Sequence, residues 1–298
     1  MSSTLSLPST PSSISTAQVA LYTIIILPSL YCLFRHGKRG ILGWGYLIIF
    51  CTVRIVAGGM DLSNSSSNSS SSSSSTGALI VDNIGLSPLI LAAVWVLHEA
   101  RNARSSITNP KHEWARILIF HISVSTALAL VAVGVSNLAN AHSSSDSSSD
   151  SGSSTLKAGF GVLFLCWLVL SVWTLLSFRS SSSSALKSRD RYNKKNNFAD
   201  GTTLLYSVLV SIPLILLRGI YGAITLFSSK PTSFSSDLAA NVCMSVVPQL
   251  LAAVVFAGAG IVTRNMHAGS GSRSAYCSTA REDPSERIEL ARRGQADV

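Results

Sequence analysis

Seven long apolar runs constrain this chain more than any other feature of its sequence. They cover residues 17–34, 41–60, 77–98, 117–136, 158–178, 203–227 and 241–262. Each is close to the roughly 20 residues that a helix needs to cross a hydrocarbon core about 30 Å thick. Strands of a membrane barrel would instead alternate polar and apolar residues over about 10 positions. Because a backbone in lipid must satisfy its own hydrogen bonds, we predict an all-α fold, a polytopic bundle of seven transmembrane helices.

The composition excludes an ordinary soluble enzyme. Only 12% of the residues are charged and 47% are hydrophobic, with a mean hydropathy of +0.39, whereas soluble domains carry about 25% charged residues. Serine is the commonest residue, with 55 copies, many of them in tracts at residues 69–75, 143–154 and 180–184. Such low-complexity tracts cannot bury a core, and we expect them to be disordered loops between the spans.

The distribution of basic residues predicts the orientation in the membrane. Of the 23 lysines and arginines, 19 lie in segments 35–39, 101–116, 179–195 and 264–293. Seven spans place all four segments on one side, and the polar segments of the other side carry only Lys157 and Lys230. Since basic residues accumulate in cytoplasmic loops, we expect an outside or lumenal N-terminus and a cytoplasmic C-terminus, in the plasma membrane or an endomembrane. The predicted regions are an extracellular segment (1–16), the transmembrane domain (17–263) and a cytoplasmic tail (264–298).

Two halves of the chain share a pattern. Arg54 lies four residues before a glycine in the second run, and Arg218 does so in the sixth. In the runs that follow, residues 88–94 (PLILAAV) and 248–254 (PQLLAAV) are identical at five of seven positions. We therefore predict a 3+1+3 plan, with spans one to three and five to seven as parallel repeats, an arrangement typical of transporters. A chance likeness between helices rich in leucine, alanine and valine is the alternative.

Three charged residues lie inside the predicted spans. Arg54, Asp82 and Arg218 all fall in the outer third of the bundle, the two arginines about 20 Å above the inner ends of their spans. A charged side chain at the bilayer centre costs about 2.5 to 3.5 kcal/mol on insertion scales, so such residues are functional candidates. Our hypothesis is that these three line an outward-facing polar cavity that holds an anionic or carbonyl-bearing ligand. The alternatives are arginines that snorkel to the interface and an Arg–Asp pair that only pins helices together.

Other residues are weaker candidates. The prolines that fall within spans are helix-kink candidates, although proline is common in membrane helices: Pro28, Pro88, Pro213 and Pro248. Asn64 and Asn68 form the two N-x-S/T sequons and are glycosylation candidates on the outer side, although a serine run also produces sequons by chance. We predict no catalytic residue.

Histidines and glutamates cluster at the predicted inner ends of the spans, at His98, Glu99, His112, Glu113 and His121. Zinc favours such residues, but the spacing matches no known ligand motif. We therefore predict neither a metal site nor a cofactor. The last run contains no lysine for a retinal Schiff base and no histidine for a zinc hydrolase, which excludes both of those seven-helix classes.

Several segments resemble a fungal family of seven-transmembrane proteins of unknown function, which is itself loosely similar to fungal lipid-translocating exporters. They are CLFRHGKRG, GWGYLIIFCTVRIVAGG, IGLSPLILAAVWVLHEA and SIPLILLRGIYG. The resemblance extends over about residues 20–263, and its most specific parts are the RHG turn, Arg54, the IGLSPL segment and the Pro213 to Arg218 spacing. It implies a seven-helix topology and a fungal source, and it implies no established activity. The serine tracts depart from the family pattern and look inserted.

Together these features favour a transporter-like or exporter-like membrane protein for a small amphipathic or anionic molecule, with the lipid bilayer as its surroundings and no nucleic acid partner. A seven-helix receptor or sensor is one alternative, and it would use the basic inner segments to engage cytoplasmic partners. A membrane-embedded cyclase of fungal specialised metabolism is the other. General acid–base chemistry usually needs more than one buried carboxylate, and Asp82 is the single one well inside a span, which disfavours the enzyme. The sequence does not predict an oligomeric state.

Overall fold

The structure is a computed structural model that describes residues 10–66, 85–104, 110–141, 149–179, 191–227 and 241–264. Within these ranges the chain is helical and contains no strand, which confirms the all-α prediction. The helices are α1 (Thr10–Ser66), α2 (Leu86–Ala103), α3 (Pro110–Ala141), α4 (Ser149–Arg179), α5 (Arg191–Phe227) and α6 (Val247–Val262), and a π-helical turn (Val242–Val246) leads into α6. Asp82 and Asn68 lie outside the described residues.

Helix α1 is helical over 57 residues but folds back on itself. A straight helix of this length would measure about 85 Å and would hold Ser15 and Gly58 about 65 Å apart. Instead, a Cβ at Gly58 would lie 3.3 Å from the Ser15 carbonyl oxygen, and the rings of Tyr22 and Phe50 are 5.5 Å apart. The reversal lies between residues 36 and 40, and it divides α1 into two antiparallel limbs, Ser13–His36 and Gly40–Ser63.

Six helical segments are long and apolar enough to cross a membrane: Ser13–His36, Gly40–Ser63, Lys111–Asn137, Gly152–Arg179, Phe198–Thr225 and Val242–Val262. Each contains one of the predicted runs or all but its first or last residues. Large apolar side chains such as Ile119, Leu165 and Leu175 remain more than half exposed on their outer faces, a pattern that water would not tolerate over so wide a surface. The chain is therefore a multi-pass membrane protein.

Helix α2 differs from the other six segments. It overlaps the third predicted run, but the structure describes it only from Leu86, and its inner part carries His98, Glu99 and Arg101. Thirteen of its 18 residues are buried. A helix that is buried on all sides lies inside a bundle, and α2 packs against both α1 and α5. It is the central helix around which the site is built.

The remaining helices surround α2. Helix α6 packs on α5 and α1, and α3 pairs closely with α4. A Cβ at Gly134 or at Gly159 would come within 2.9 Å of the backbone of the facing helix, so these two glycines allow the α3 and α4 backbones to approach. Residues 149–154, predicted as part of a disordered serine loop, instead form the first turns of α4, because a polar serine tract can extend a helix beyond the lipid when an apolar run follows it.

Candidate functional site

The bundle has two ends, which we name by the residues near them. At the Arg54 end α2 and α4 begin and α5 finishes; at the His36 end α2 and α4 finish and α5 begins. Both intramembrane arginines lie toward the Arg54 end. Arg54 is 1% exposed and Arg218 is 2% exposed, and both are among the largest buried side chains. Neither guanidinium reaches the protein surface, which disfavours snorkelling.

Arg54 lies beside the first turn of α2. A Cβ at Gly85, the residue before α2, would lie 3.1 Å from Arg54 Nε and 3.3 Å from Cζ and Nη2, so the absent side chain leaves room for the guanidinium. Arg54 Cζ also lies 5.9 Å from the centre of the Phe50 ring. The first turn of α2 contains no acidic residue, and the amide groups at a helix N-terminus carry a partial positive charge. The Arg54 guanidinium therefore lies next to the positive end of α2.

Arg218 lies on α5, where the next residue, Gly219, faces Leu86 of α2; a Cβ at Gly219 would be 3.9 Å from Leu86 Cδ2. The first turn of α2 thus lies beside the Arg54 side chain of α1 and beside the α5 residue that follows Arg218. Asp82, the third predicted member, precedes Gly85 by three residues and lies outside the described residues. Its role stays a prediction.

An apolar cavity of about 350 Å³ lies between α2, α4 and α5. Its wall includes Leu86, in the first turn of α2, and Gly219, the residue after Arg218; neither Arg54 nor Arg218 lines it. Lys157 is the charged member of its lining. Toward the His36 end, Trp167 Nε1 donates a hydrogen bond to the Ile212 carbonyl at 3.0 Å and ties α4 to α5. The cavity can accommodate an apolar chain next to a cationic site.

Sequence reasoning missed one buried polar side chain, Gln249 on α6. It is 1% exposed, and among the described residues neither its amide nitrogen nor its amide oxygen has a hydrogen-bond partner. It follows Pro248 and the π-helical turn, which contains the buried Ser245. The two similar segments contained a signal, since Gln249 aligns with Leu89, where the segments differ in polarity.

The His36 end is held together by polar contacts between helices. His36 Nδ1 lies 2.7 Å from Glu99 Oε1, and its Nε2 lies 3.1 Å from the Gly260 carbonyl oxygen. The Trp44 ring lies 5.0 Å from the His36 ring, centre to centre. This cluster joins α1, α2 and α6. Sequence reasoning singled out Glu99 and missed its partner, although the RHG segment contains it.

A second ion-pair cluster at this end joins α2 to α3. Arg101 Nε lies 3.1 Å from Glu113 Oε1, and Arg101 Nη2 donates a hydrogen bond to Glu113 Oε2 at 3.4 Å. The Arg101 guanidinium also lies 5.3 Å from the centre of the Trp173 ring on α4. Burial lowers the pKa of Arg101, and the neighbouring Glu113 opposes that shift. Glu113 is therefore engaged in structural contacts, and the described residues contain no group of three or more His, Cys, Asp or Glu arranged for a metal ion.

The four prolines occupy two kinds of position. Pro28 lies inside the first limb of α1 and Pro213 inside α5. Pro88 lies in the first turn of α2, where a missing N–H breaks no intrahelical bond, whereas Pro248 follows directly on the π-helical turn, so that helical backbone continues on both sides of it. Of the two sequons, Asn64 lies in the last turn of α1.

The family model of a domain of unknown function (DUF7702) matches residues 9–266, which include all the described residues. No curated protein matches the chain, and neither does any solved structure. The match covers the whole bundle and assigns it no activity, so a function has to be inferred from the site.

Proposed function

We propose that this chain, which belongs to the DUF7702 family, is a transporter-like or exporter-like membrane protein whose ligand is a small amphipathic anion. The anionic head group binds next to Arg54 and Arg218, and the apolar tail lies in the cavity between α2, α4 and α5. Asp82 modulates the site from the segment that precedes α2. The likeness to fungal lipid-translocating exporters, seen in the sequence, is in keeping with an amphipathic ligand.

The proposal depends on one observation, two buried arginines near an apolar cavity whose wall includes Gly219, the neighbour of Arg218. Arginine presents a planar fork of donors that suits a carboxylate or a phosphate. Two such groups near a helix N-terminus, shielded from water, favour an anion over a neutral molecule. The cavity adjoining Leu86 and Gly219 has apolar walls and space for a short alkyl chain. An amphipathic anion matches both halves of the site.

The full topology that we propose has seven spans, with α2 as the third. Support comes from the basic residues outside the apolar runs. Of those whose side chains the structure describes, seven lie at the His36 end: Arg35, Arg101, Arg104, Lys111, Arg116, Arg179 and Arg264. Lys157 lies at the opposite end. Basic residues mark the cytoplasmic side, so the His36 end faces the cytoplasm and the arginine site opens toward the outside or the lumen. The two sequons then lie on the outer side.

The internal repeat remains part of the proposal. If Arg54 matches Arg218 and Pro88 matches Pro248, then Gly37 matches Gly201 and Ala100 matches Gly260. His36, next to Gly37, contacts the Gly260 carbonyl oxygen at 3.1 Å. In the other half, a Cβ at Gly201 would be 2.9 Å from the Ala100 carbonyl oxygen. The residue before Gly37 and Gly201 itself thus contact residues that the proposed alignment pairs, which supports the repeat, an arrangement in which transporters place their sites at the repeat interface.

Ligand binding tests the proposal. We expect the purified protein to bind N-lauroylglycine, an anionic amphiphile, at least 10-fold more tightly than neutral N-lauroylethanolamine, as measured by native mass spectrometry. Arg54→Gln and Arg218→Gln should each lower the affinity for the anion about 10-fold, the typical effect of losing one charge-assisted hydrogen bond. Arg179→Gln is the matched control, because Arg179 is exposed at the His36 end, and it should bind like the wild type.

The cavity has its own pair of variants within the same experiment. Gly219→Phe should fill the space and weaken binding, whereas Gly219→Ala adds only an ordinary contact with Leu86 and should not. If both probes bind equally, the arginines only pin helices together. The same conclusion follows if the arginine variants lower the unfolding midpoint and leave the affinity for the anion unchanged. Flux of the anion into protein-containing liposomes then separates a transporter from a receptor, which would bind without flux.

A further inference from the structure

Gln249 poses a physical problem that the proposed function does not solve. A buried polar group without a hydrogen bond costs about 1 to 3 kcal/mol, and most buried polar groups therefore have partners. Both amide atoms of Gln249 lack one among the described residues, and the side chain is 1% exposed. An unsatisfied amide in a native structure calls for an explanation, and a bound ligand is one.

Gln249 lies at about the same depth in the bundle as Arg218, on the neighbouring helix. Arg218 lies seven residues before Thr225, the end of its span, and Gln249 lies seven residues after Val242, the start of the last span. Both are therefore about 10 Å below the same end of the bundle, on helices α5 and α6, which pack against each other. The π-helical turn directly before α6 is a feature found often at functional sites.

Packing alone does not explain a glutamine here. The equivalent residue of the first half, Leu89 on α2, is fully buried and nearly equal in volume. An apolar side chain thus fills the same position in the other half of the bundle. In the proposed repeat, therefore, the volume of this position does not require an amide.

We infer that Gln249 binds the head group of the ligand and selects its chemistry, an inference that rests on the proposed function. Its amide N–H donates to the anionic group, and its carbonyl oxygen accepts a hydrogen bond from an N–H or O–H beside that group. The preferred ligand is an amphipathic anion with a hydrogen-bond donor next to its charge, as in N-acyl amino acids. An anion without that donor leaves the Gln249 oxygen unpaired and binds less tightly.

Two probes with the same acyl chain and carboxylate test this selectivity. N-lauroylglycine carries an amide N–H beside its carboxylate, and N-lauroylsarcosine carries an N-methyl group there instead. We expect the wild-type protein to bind N-lauroylglycine about 5- to 10-fold more tightly. Gln249→Leu, which installs the residue of the other half, should abolish this preference while the thermal unfolding midpoint is unchanged or higher. Gln249→Met provides a second, unbranched variant with the same expected result.

The outcomes separate the two proposals. If neither probe binds, the proposed function fails. If both bind but the wild-type protein does not distinguish them, or if Gln249→Leu and Gln249→Met keep the preference, the role of Gln249 is wrong and the arginine site stands. Equal loss of affinity for both probes together with a lower unfolding midpoint would show a structural role only and would also overturn the inference.

Discussion

At the residue scale, the smallest side chains decide where the largest ones fit. Gly260 packs against the Trp44 indole, which is fully buried and lies against His36. Gly85 gives the same kind of space to the Arg54 guanidinium. In both places the residue without a side chain is on one helix and the bulky residue is on another. Interiors packed to this density have no room for even one added methyl group.

Gly260→Ala should therefore destabilise the protein. A Cβ at position 260 would lie 2.7 Å from Trp44 Cζ2, and relief of such overpacking costs about 1 to 3 kcal/mol. Gly258→Ala is the control two residues away, because a Cβ there meets no atom within 4 Å. We expect a lower thermal unfolding midpoint for Gly260→Ala and an unchanged midpoint for Gly258→Ala. Equal midpoints for the two variants would contradict the packing of Gly260 against Trp44.

At the element scale, the central position of α2 depends on contacts at both of its ends. Its first turn lies beside Arg54 of α1, and its last turns carry Glu99 and Arg101. These two residues join α2 to α1, α6 and α3 through His36, Gly260 and Glu113. Lipid tails are as apolar as the side chains of neighbouring helices, so hydrophobic burial alone does not orient a helix in a membrane bundle. Polar contacts of this kind set its position.

Removing the charge of Glu113 should loosen this arrangement. Glu113→Gln leaves the Arg101 guanidinium, which is 13% exposed, without its counter-charge, and breaking a buried pair in this way costs about 3 kcal/mol. Arg116→Gln is the control, because Arg116 is 64% exposed and 3.8 Å from Glu113, and exposed pairs contribute at most about 1 kcal/mol.

The measurement is the thermal unfolding midpoint of the detergent-purified protein. A double variant, Arg101→Met with Glu113→Leu, should recover most of the loss, since it removes both buried charges together. Equal effects of Glu113→Gln and Arg116→Gln would mean that the Arg101–Glu113 pair does not hold α2 in place.

At the scale of the whole molecule, an odd or even number of spans determines whether the two termini face opposite sides of the membrane or the same side. Six segments are long and apolar enough to cross a membrane, and α2 is the seventh span in our proposal. An even number of spans would leave both termini on one side. An odd number puts them on opposite sides, with the basic His36 end in the cytoplasm.

Tags at the two termini test this parity in cells. After the plasma membrane is selectively permeabilised, we expect a protease to remove a C-terminal tag. An N-terminal tag should be removed already in intact cells if the protein is in the plasma membrane, and should stay protected if it is in an endomembrane. Both tags on the same side would show that α2 does not span. Treatment with a glycosidase provides an independent check, because occupied sequons at Asn64 or Asn68 would shift the gel mobility of the wild type and not of an Asn64→Gln, Asn68→Gln variant.

The sequence by itself determined the class of the molecule and six of its membrane-spanning helices. Long apolar runs have one solution in lipid, since a helix satisfies its backbone within the run. The pattern also singled out Arg54 and Arg218, because an arginine in such a run is conspicuous. Helix ends were less predictable, as the serine-rich start of α4 and the polar start of α5 extend beyond the apolar runs.

Only the tertiary structure decided how those helices meet. Which helix is central, which glycine faces which side chain, and which histidine pairs with which glutamate all depend on contacts between residues far apart in sequence. His36 and Glu99 are 63 residues apart, and neither residue type signals its partner. Gln249 is the clearest case, because a glutamine in the first turn of a helix is ordinary in sequence. Among the described residues it is buried without a hydrogen-bond partner because α6 packs against α5 and α1, and that packing made it a candidate for the site.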